Sequence, residues 1–127
     1  MKKKVLLVDD ENSFTSLLKI NLEQTGRYEV RAENWAEDAY PAAKEFRPDI
    51  MLLDIIMPRM PGGNVVAQFE ADPELKDLPI VFLSAAIPRR IVVDHDGIIC
   101  DHPCVAKPAN VEEIIEAIEK YSAKPTP

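Results

Sequence analysis

The chain has 127 residues, of which 46% are hydrophobic and 29% charged, and this size and composition fit one globular domain. Its 15 basic and 22 acidic side chains leave a net charge of −7, which argues against broad electrostatic binding to nucleic acid or a membrane. No apolar stretch approaches the roughly 20 residues of a membrane helix, and the apolar run after the first lysines is too short for a secretory signal peptide. We therefore expect a cytoplasmic domain over residues 1–122, with 123–127 as a polar tail.

Five short runs of mainly apolar residues predict β-strands. They span residues 5–8, 28–32, 49–54, 79–84 and 103–106. The first, third and fourth runs are almost unbroken in apolar character, which is typical of parallel strands covered by helices on both faces.

Apolar residues at helical spacing follow the first two strands. The first set comprises Phe14, Leu17, Leu18 and Leu22, with Asn12 and Ser13 as capping candidates and Gly26 at the end. For the second helix, Asn34 and Glu37 have the spacing of a capping pair, and the helix extends to about Phe46. Pro41 falls inside it and removes one backbone donor, so we expect this helix to be kinked or shortened.

Two further helices are predicted later in the chain. One spans about residues 63–71, stops at Asp72-Pro73 and buries Val65, Val66 and Phe69. The last starts at Asn110 with Glu113 as its capping partner, extends to about Tyr121, and carries Val111, Ile114, Ile115 and Ile118 on one face.

Alternating strands and helices predict a three-layer α/β fold, in which right-handed crossovers build a parallel sheet between two layers of helices. Residues 85–102 break this alternation, because the β-prone residues 91–93 and 98–100 flank the turn-forming residues 94–97. We therefore expect a hairpin or an irregular loop there, in place of a full fourth helix.

Polar residues collect where the predicted strands end. Since the carboxyl ends of parallel strands meet at one edge of the sheet, Asp9, Asp10, Asp54, Ser84 and Lys107 should lie close together. Three carboxylates in one crevice repel one another unless a cation neutralises them, and hard oxygen ligands favour Mg²⁺. The hydroxyl and the ammonium suit phosphoryl oxygens, and an aspartate is a known nucleophile for forming an aspartyl phosphate. The set predicts phosphoryl transfer onto an aspartate.

Five motifs at this edge occur in a characteristic order. They are Val8-Asp9-Asp10, Leu53-Asp54, Met57-Pro58 with Gly62, Leu83-Ser84-Ala85 and Lys107-Pro108. In order and spacing the chain resembles the receiver domain of two-component response regulators, over roughly residues 4–121. The resemblance implies a flavodoxin-like, doubly wound sheet of five parallel strands in the order 2-1-3-4-5.

The resemblance also implies a role for each residue of the site. Asp54 would be the nucleophile that accepts a phosphoryl group from a sensor histidine kinase, a phosphotransfer protein or a small phosphodonor. Asp9, Asp10, Asp54 and the main-chain carbonyl of Ile56 would hold Mg²⁺. Lys107 would contact the phosphoryl oxygens, aimed by a cis peptide at Pro108, and Ser84 would hydrogen-bond the phosphoryl group.

A signalling switch of this kind implies protein partners and no substrate other than itself. The phosphoryl group would alter binding to a downstream protein, and the domain would at most catalyse its own phosphorylation and dephosphorylation. The sequence leaves a homodimer open, and it gives no reason to expect contact with nucleic acid or membrane.

Three residues depart from what the family usually carries or needs. Cys104 stands where receivers usually have the Tyr or Phe that relays switching, which favours one alternative function, a phosphate-independent docking scaffold on the same fold. Ile56 and Ala86 offer no side chain to position an attacking water, so we expect slow self-dephosphorylation. Ile56 also excludes an aspartate-nucleophile phosphatase, because such enzymes need an acidic residue two positions after the nucleophile.

Four residues in the irregular region are of transition-metal ligand types: His95, Cys100, His102 and Cys104. Their spacing matches no zinc-binding pattern, and Pro103 interrupts the segment. Buried cysteines commonly behave as small apolar side chains, so a zinc site is the weaker of the two interpretations.

Overall fold

The computed structural model describes residues 2–55, 57, 62–84, 98–99, 102–107 and 110–122. In these residues six strands form one sheet in the order β2-β1-β3-β4-β6-β5. The strands are β1 (Lys3–Val8), β2 (Tyr28–Glu33), β3 (Ile50–Asp54), β4 (Ile80–Ser84), β5 (Ile98–Ile99) and β6 (His102–Ala106). The helices are α1 (Asn12–Gln24), α2 (Ala39–Phe46), α3 (Gly62–Glu70) and α4 (Val111–Tyr121), and a 3-10 turn at Ala36–Asp38 precedes α2.

Five of the six strands run parallel, which confirms the predicted fold class. β1 lies between β2 and β3, and β4 continues the sheet between β3 and β6. Counting β6 as the fifth strand gives the expected order 2-1-3-4-5. Every residue of β3 and β4 is buried, as the unbroken apolar runs predict for central strands.

The sheet separates two hydrophobic cores, because side chains alternate between its faces along each strand. On one face Leu6 and Leu53 pack in a cluster with residues of α2 and α3. On the other face Leu7 and Leu52 pack in a cluster with residues of α1 and α4. Both cores are built around the same central strands, which therefore hold the carboxyl edge of the sheet in a fixed position.

The first two helices differ in detail from the sequence prediction. Leu17 was expected on the buried face of α1, but it is 60% exposed, and Thr15 takes a buried position instead. Asn34 does not cap a helix: the 3-10 turn starts at Ala36, and α2 begins only at Ala39. Pro41 then falls in the first turn of α2, where the missing backbone N–H costs no hydrogen bond, so the helix is shortened as predicted.

The last two helices confirm the prediction closely. Val65, Val66 and Phe69 of α3 are buried. Asn110 caps α4, because its side-chain oxygen accepts a 2.8 Å hydrogen bond from the backbone N–H of Glu113.

The irregular region contributes a short antiparallel strand. Ile98–Ile99 of β5 pairs with His102 and Pro103 of β6, whereas the predicted hairpin pairs residues 98–100 with 91–93. The other predicted arm, residues 91–93, and the predicted turn 94–97 lie outside the described residues, as does the predicted tail 123–127. Across the described part of the chain, we find no helix of the length and apolar character that a membrane crossing requires.

Candidate metal centre at the carboxyl edge of the sheet

The ends of β1 and β3 bring three carboxylates together. Leu53 pairs with Val8 in the parallel register, so the residues that follow them, Asp9 just after β1 and Asp54 at the end of β3, are neighbours at the sheet edge. The backbone N–H of Asp9 donates to Glu33 at 3.1 Å, which fixes the end of β1 against β2. Carboxylate oxygens of Asp9, Asp10 and Asp54 all lie within 4.8 Å of one another. We call these three residues the acidic cluster.

The acidic cluster is partly removed from water. Asp9 is fully buried and Asp54 is 7% exposed, whereas Asp10 faces solvent. Burying like charges side by side is costly, because each loses hydration and repels the other. The cluster therefore requires positive charge close by.

Lys107 supplies one such charge from the end of β6, which is separated from β3 by β4. Its backbone N–H donates a 2.8 Å hydrogen bond to Ser84, which fixes the residue just after β6. Its Nζ donates a hydrogen bond to Asp9 Oδ2 and lies 3.9 Å from Asp54 Oδ2. A further carboxylate, that of Glu11, lies 3.6 Å from the same nitrogen.

The pKa of Lys107 shows which effect dominates at this site. Burial by itself lowers the pKa of the amine, because a charged ammonium loses hydration. The hydrogen bond to Asp9 and the charges of Asp9, Asp54 and Glu11 outweigh burial, so the pKa of Lys107 lies above its usual value. Lys107 is therefore firmly cationic at neutral pH.

Ser84 completes the set of predicted residues that the structure places. It is the last residue of β4, it is buried, and it pairs with Ala106, the residue immediately before Lys107. The predicted catalytic and acidic residues thus all lie at one edge of the sheet. Ile56 and Pro108, the predicted carbonyl ligand and cis peptide, lie outside the described residues.

The donor set of the acidic cluster fits Mg²⁺. Mg²⁺ binds oxygen ligands at about 2.1 Å, so two ligands on opposite sides of the ion lie about 4.2 Å apart. The carboxylate oxygens of the cluster lie within 4.8 Å of one another, and a small rotation of one side chain would bring them to the separation that the ion requires. Carboxylate oxygens are hard ligands, and the described part of the site offers no thiolate or imidazole that would favour a softer metal.

Three residues lie at the site although the sequence did not predict them there. Glu11 follows the aspartate pair directly, and this third consecutive acidic residue is a signal that could have placed it at the site. Phe14 lies with its ring centroid 4.4 Å from Lys107 Nζ. Asn34 donates to the backbone carbonyl of Asp9 at 2.8 Å, and no local pattern distinguishes this role from helix capping.

A groove in the described part of the molecule lies away from the acidic cluster. A concavity of about 530 Å³ is lined by residues from α2 and from the segments that precede β3 and β4, at the amino ends of the strands. Lys44 and Glu74 on its wall form a 3.1 Å ion pair with each other, so their charges are already matched. Its lining includes none of the strand-end residues, and its two basic and two acidic side chains balance one another. We place the chemistry at the acidic cluster, where the described carboxylates outnumber the one lysine.

Comparison with known protein families decides what this site belongs to. The model of the response regulator receiver domain family matches residues 5–119. The chain belongs to this family. Receiver domains are signalling modules of two-component systems that interact with histidine kinases and downstream partners, and the predicted resemblance is thereby confirmed.

Individual relatives show how much of other receivers the chain covers. Polar-differentiation response regulator DivK of Brucella anthropi is 31% identical over 124 residues, which make up 95% of this chain and 97% of DivK. Alkaline phosphatase synthesis transcriptional regulatory protein PhoP of Bacillus subtilis is 38% identical over 85 residues, 67% of this chain but only 34% of PhoP. The solved structure of chemotaxis protein CheY4 from Vibrio cholerae has a TM-score of 0.81 at 25% identity, covering 95% of this chain and 99% of CheY4.

Cys104, at the position where the resemblance leads us to expect an aromatic residue, is buried in β6. Burial raises the pKa of its thiol to about 11. It packs in the hydrophobic core that includes Phe82, as the apolar interpretation of the cysteine predicts. Two members of the alternative zinc set, His95 and Cys100, lie outside the described residues.

Proposed function

We propose that this receiver domain is a phosphorylation-dependent switch, in which Asp54 takes up a phosphoryl group in a reaction that requires Mg²⁺. The observation that carries the proposal is the convergence of Asp9, Asp10 and Asp54 with Lys107 at one edge of the sheet. Three separate segments of the chain contribute these charged groups, and their charges are of the sign that phosphoryl transfer to a carboxylate uses.

Asp54 is the nucleophile of the proposed reaction. One of its carboxylate oxygens forms a bond to phosphorus as the bond from phosphorus to the donor breaks, and the donor leaves with the electron pair of that bond. From acetyl phosphate the leaving group is acetate, and from a phosphohistidine it is the imidazole nitrogen. Bound at the acidic cluster, Mg²⁺ supplies positive charge for the carboxylates and the phosphoryl oxygens. Its proposed protein ligands are Asp9, Asp10, Asp54 and the carbonyl of Ile56.

Lys107 and Ser84 act on the transferred group. The Lys107 ammonium is already 3.9 Å from Asp54, so it is close enough to pair with an oxygen of a phosphoryl group there. Ser84 ends the strand beside that of Asp54, and its hydroxyl can donate a hydrogen bond to another oxygen of the phosphoryl group. An aspartyl phosphate adds about one and a half to two negative charges at a partly buried position. Such a change is large enough to shift a loop between two arrangements and alter partner binding.

The proposed partners follow from the chemistry of the switch. The phosphoryl donor is a sensor histidine kinase, a phosphotransfer protein or a small phosphodonor, and the output is a change in binding to a downstream protein in the cytoplasm. DivK matches over nearly its whole length, whereas the chain spans about a third of PhoP, so both a single-domain regulator and part of a longer one fit the comparisons.

The test is phosphoryl uptake from acetyl phosphate in the presence of MgCl₂. Intact-protein mass spectrometry should show the wild type gaining the mass of one phosphoryl group, and Asp54→Asn gaining none. Asp77→Asn, at an exposed aspartate beside the groove at the opposite end of the strands, should gain the group as the wild type does. Chelating the metal with EDTA should prevent uptake.

A failure of uptake would favour the second candidate function. Cys104, buried where an aromatic relay is usual, is the observation that supports a phosphate-independent docking scaffold. A wild-type protein that folds, binds Mg²⁺ and still gains no mass from acetyl phosphate would contradict the switch and support the scaffold.

The lifetime of the phosphorylated form is a further part of the proposal. Ile56 and Ala86 provide no polar side chain for an attacking water, so dephosphorylation in Mg²⁺ should be slow. A lifetime of seconds would contradict this expectation.

A further inference from the structure

The aromatic ring of Phe14 faces the Lys107 ammonium. Phe14 lies in the first turn of α1, half-buried against the core formed by α1, α4 and the sheet. Lys107 Nζ lies 4.4 Å from its ring centroid, well inside the range of about 6 Å for a cation–π contact. The Lys107 side chain is only 9% exposed, and this contact is therefore formed largely away from water.

The carboxylates around Lys107 pull its ammonium in different directions. Asp9 and Asp54 lie on the buried side, whereas Glu11 lies 3.6 Å away and its side chain is 64% exposed. A lysine ammonium is a compact charge on a flexible four-carbon chain, so charge alone does not fix its position among several carboxylates. A contact with an uncharged ring adds to the hydrogen bond from Lys107 to Asp9 in holding the ammonium on the buried side.

We propose that Phe14 is a positioning residue: the Lys107 ammonium lies 3.9 Å from Asp54 and 3.6 Å from Glu11, and the Phe14 ring keeps it from moving further toward the exposed Glu11 carboxylate. The inference rests on the proposed function for its consequence in catalysis. The contact between Phe14 and Lys107 is a feature of the unphosphorylated protein and does not depend on the proposed function. The ring attracts the cation without competing for a proton or a metal, so Lys107 stays free to exchange a carboxylate partner for a phosphoryl oxygen. A leucine would fill similar space but would not attract the charge.

The first experiment observes the contact directly by NMR. Protons above the face of an aromatic ring resonate upfield, so the ε-methylene protons of Lys107 should be upfield of those of exposed lysines. Phe14→Leu should abolish this shift and Phe14→Tyr should keep it, with the Lys107→Met variant identifying the signal. Phe46→Leu is the matched control, because Phe46 is also half-buried and its ring lies 5.2 Å from Lys4 Nζ. It should leave the Lys107 signal unchanged.

The second experiment measures the rate of phosphoryl uptake from acetyl phosphate at saturating Mg²⁺. Phe14→Leu should be slower than the wild type by about fivefold to tenfold, Phe14→Tyr should stay within about twofold, and Phe46→Leu should be unchanged. The affinity for Mg²⁺ should not change, because the phenylalanine is not a ligand. A loss of rate with unchanged metal affinity and unchanged unfolding temperature distinguishes positioning from a structural defect.

A double-mutant cycle with Glu11→Gln tests the competition that the proposal contains. Without the Glu11 charge the outward attraction on the ammonium is weaker, so adding Phe14→Leu should then cost less than about twofold in rate. An equal loss in both backgrounds would overturn the role of Glu11, and an unshifted Lys107 signal in the wild type would overturn the contact itself. If the wild type takes up no phosphoryl group, the proposed function fails, and the NMR comparison still decides whether Phe14 positions Lys107.

Discussion

Two groups of charged residues in this receiver domain both combine a lysine with several carboxylates, but they differ in how far the positive and negative charges are paired. At the acidic cluster, Lys107 is the one ammonium among Asp9, Asp10, Asp54 and Glu11 that the structure places there. Near the other end of the sheet, Tyr40, Lys44, Asp72 and Glu74 form a second group, which we call the Asp72 cluster.

The Asp72 cluster is satisfied by its own members. Asp72 accepts hydrogen bonds from the Tyr40 hydroxyl, from the backbone N–H of Glu74 and from Lys44 Nζ, the last at 3.1 Å. The pKa of Asp72 is lowered to about 2, first by the Tyr40 hydroxyl and then by the other two donors. The acidic cluster has more carboxylates than one lysine can serve. Paired charges are typical of a structural site, whereas the surplus of carboxylates at the acidic cluster supports the proposed metal site.

The largest expected difference between the clusters is in the loss of their lysines. Lys107→Met leaves the fully buried Asp9 without its cationic partner, and should lower the free energy of unfolding by about 3–5 kcal/mol in EDTA. Lys44→Met should cost much less, because the Lys44 side chain is 34% exposed and water replaces it. Urea unfolding of both variants checks the contrast, and equal losses would mean that the burial of Asp9 has little energetic consequence.

Magnesium should stabilise the folded domain through the acidic cluster alone. At a free Mg²⁺ concentration of one hundred times Kd, the free energy of unfolding should rise by about 2.7 kcal/mol. Asp10→Asn removes one proposed ligand and should weaken this response, whereas Asp72→Asn should keep it in full. Thermal unfolding with MgCl₂, against NaCl of equal ionic strength, measures the effect. A Mg²⁺ response that Asp10→Asn leaves intact would contradict the proposed ligand set.

The Asp72 cluster should reveal itself in the pH dependence of stability. Because the folded-state pKa of Asp72, about 2, lies below its unfolded value of about 3.9, its contribution is complete above the unfolded pKa and is lost as the pH falls toward 2. The wild type should therefore unfold a few degrees above Asp72→Asn at pH 7, and the gap should narrow below about pH 4. Melting curves from pH 7 to pH 3 test this, and a gap that widens in acid would show that another group is responsible.

The smallest expected effects have opposite signs in the two clusters. In EDTA, Asp10→Asn removes a surplus charge from the acidic cluster and should raise the free energy of unfolding by about 0.5 kcal/mol or less. Glu74→Gln removes a partner of Lys44 and should lower it slightly. Chemical unfolding at low ionic strength gives both values, because salt screens exposed pairs. A loss of stability in Asp10→Asn would mean that its charge is already balanced in the metal-free protein.

Helix prediction shows where local patterns were sufficient. The Asn110 cap of α4 and the buried face of α3 are as predicted, because each depends on residues within a few positions of one another. Asn34 shows the opposite case. Its spacing from Glu37 has the form of a cap, but its side chain bonds to the Asp9 carbonyl and to Thr15 Oγ1. Only the approach of β2 to α1 makes those partners available.

The site likewise has features that the sequence predicts and features that it does not. Its members at the strand ends were predictable, because parallel strands bring their carboxyl ends to one edge. The contacts among those members were not. That Lys107 binds Asp9 more closely than Asp54, and that it faces Phe14, depends on how α1 and β6 pack on the sheet.

The amino-acid sequence by itself determined the alternation of strands and helices, the parallel sheet and the residues at its carboxyl edge. These features follow from apolar periodicity and strand-end position, which act over a few neighbouring residues. The tertiary structure alone decided which carboxylate Lys107 binds, where Asn34 donates and why Leu17 faces solvent. Such choices depend on distances of a few ångströms between segments far apart in the chain, and only the packed core sets those distances.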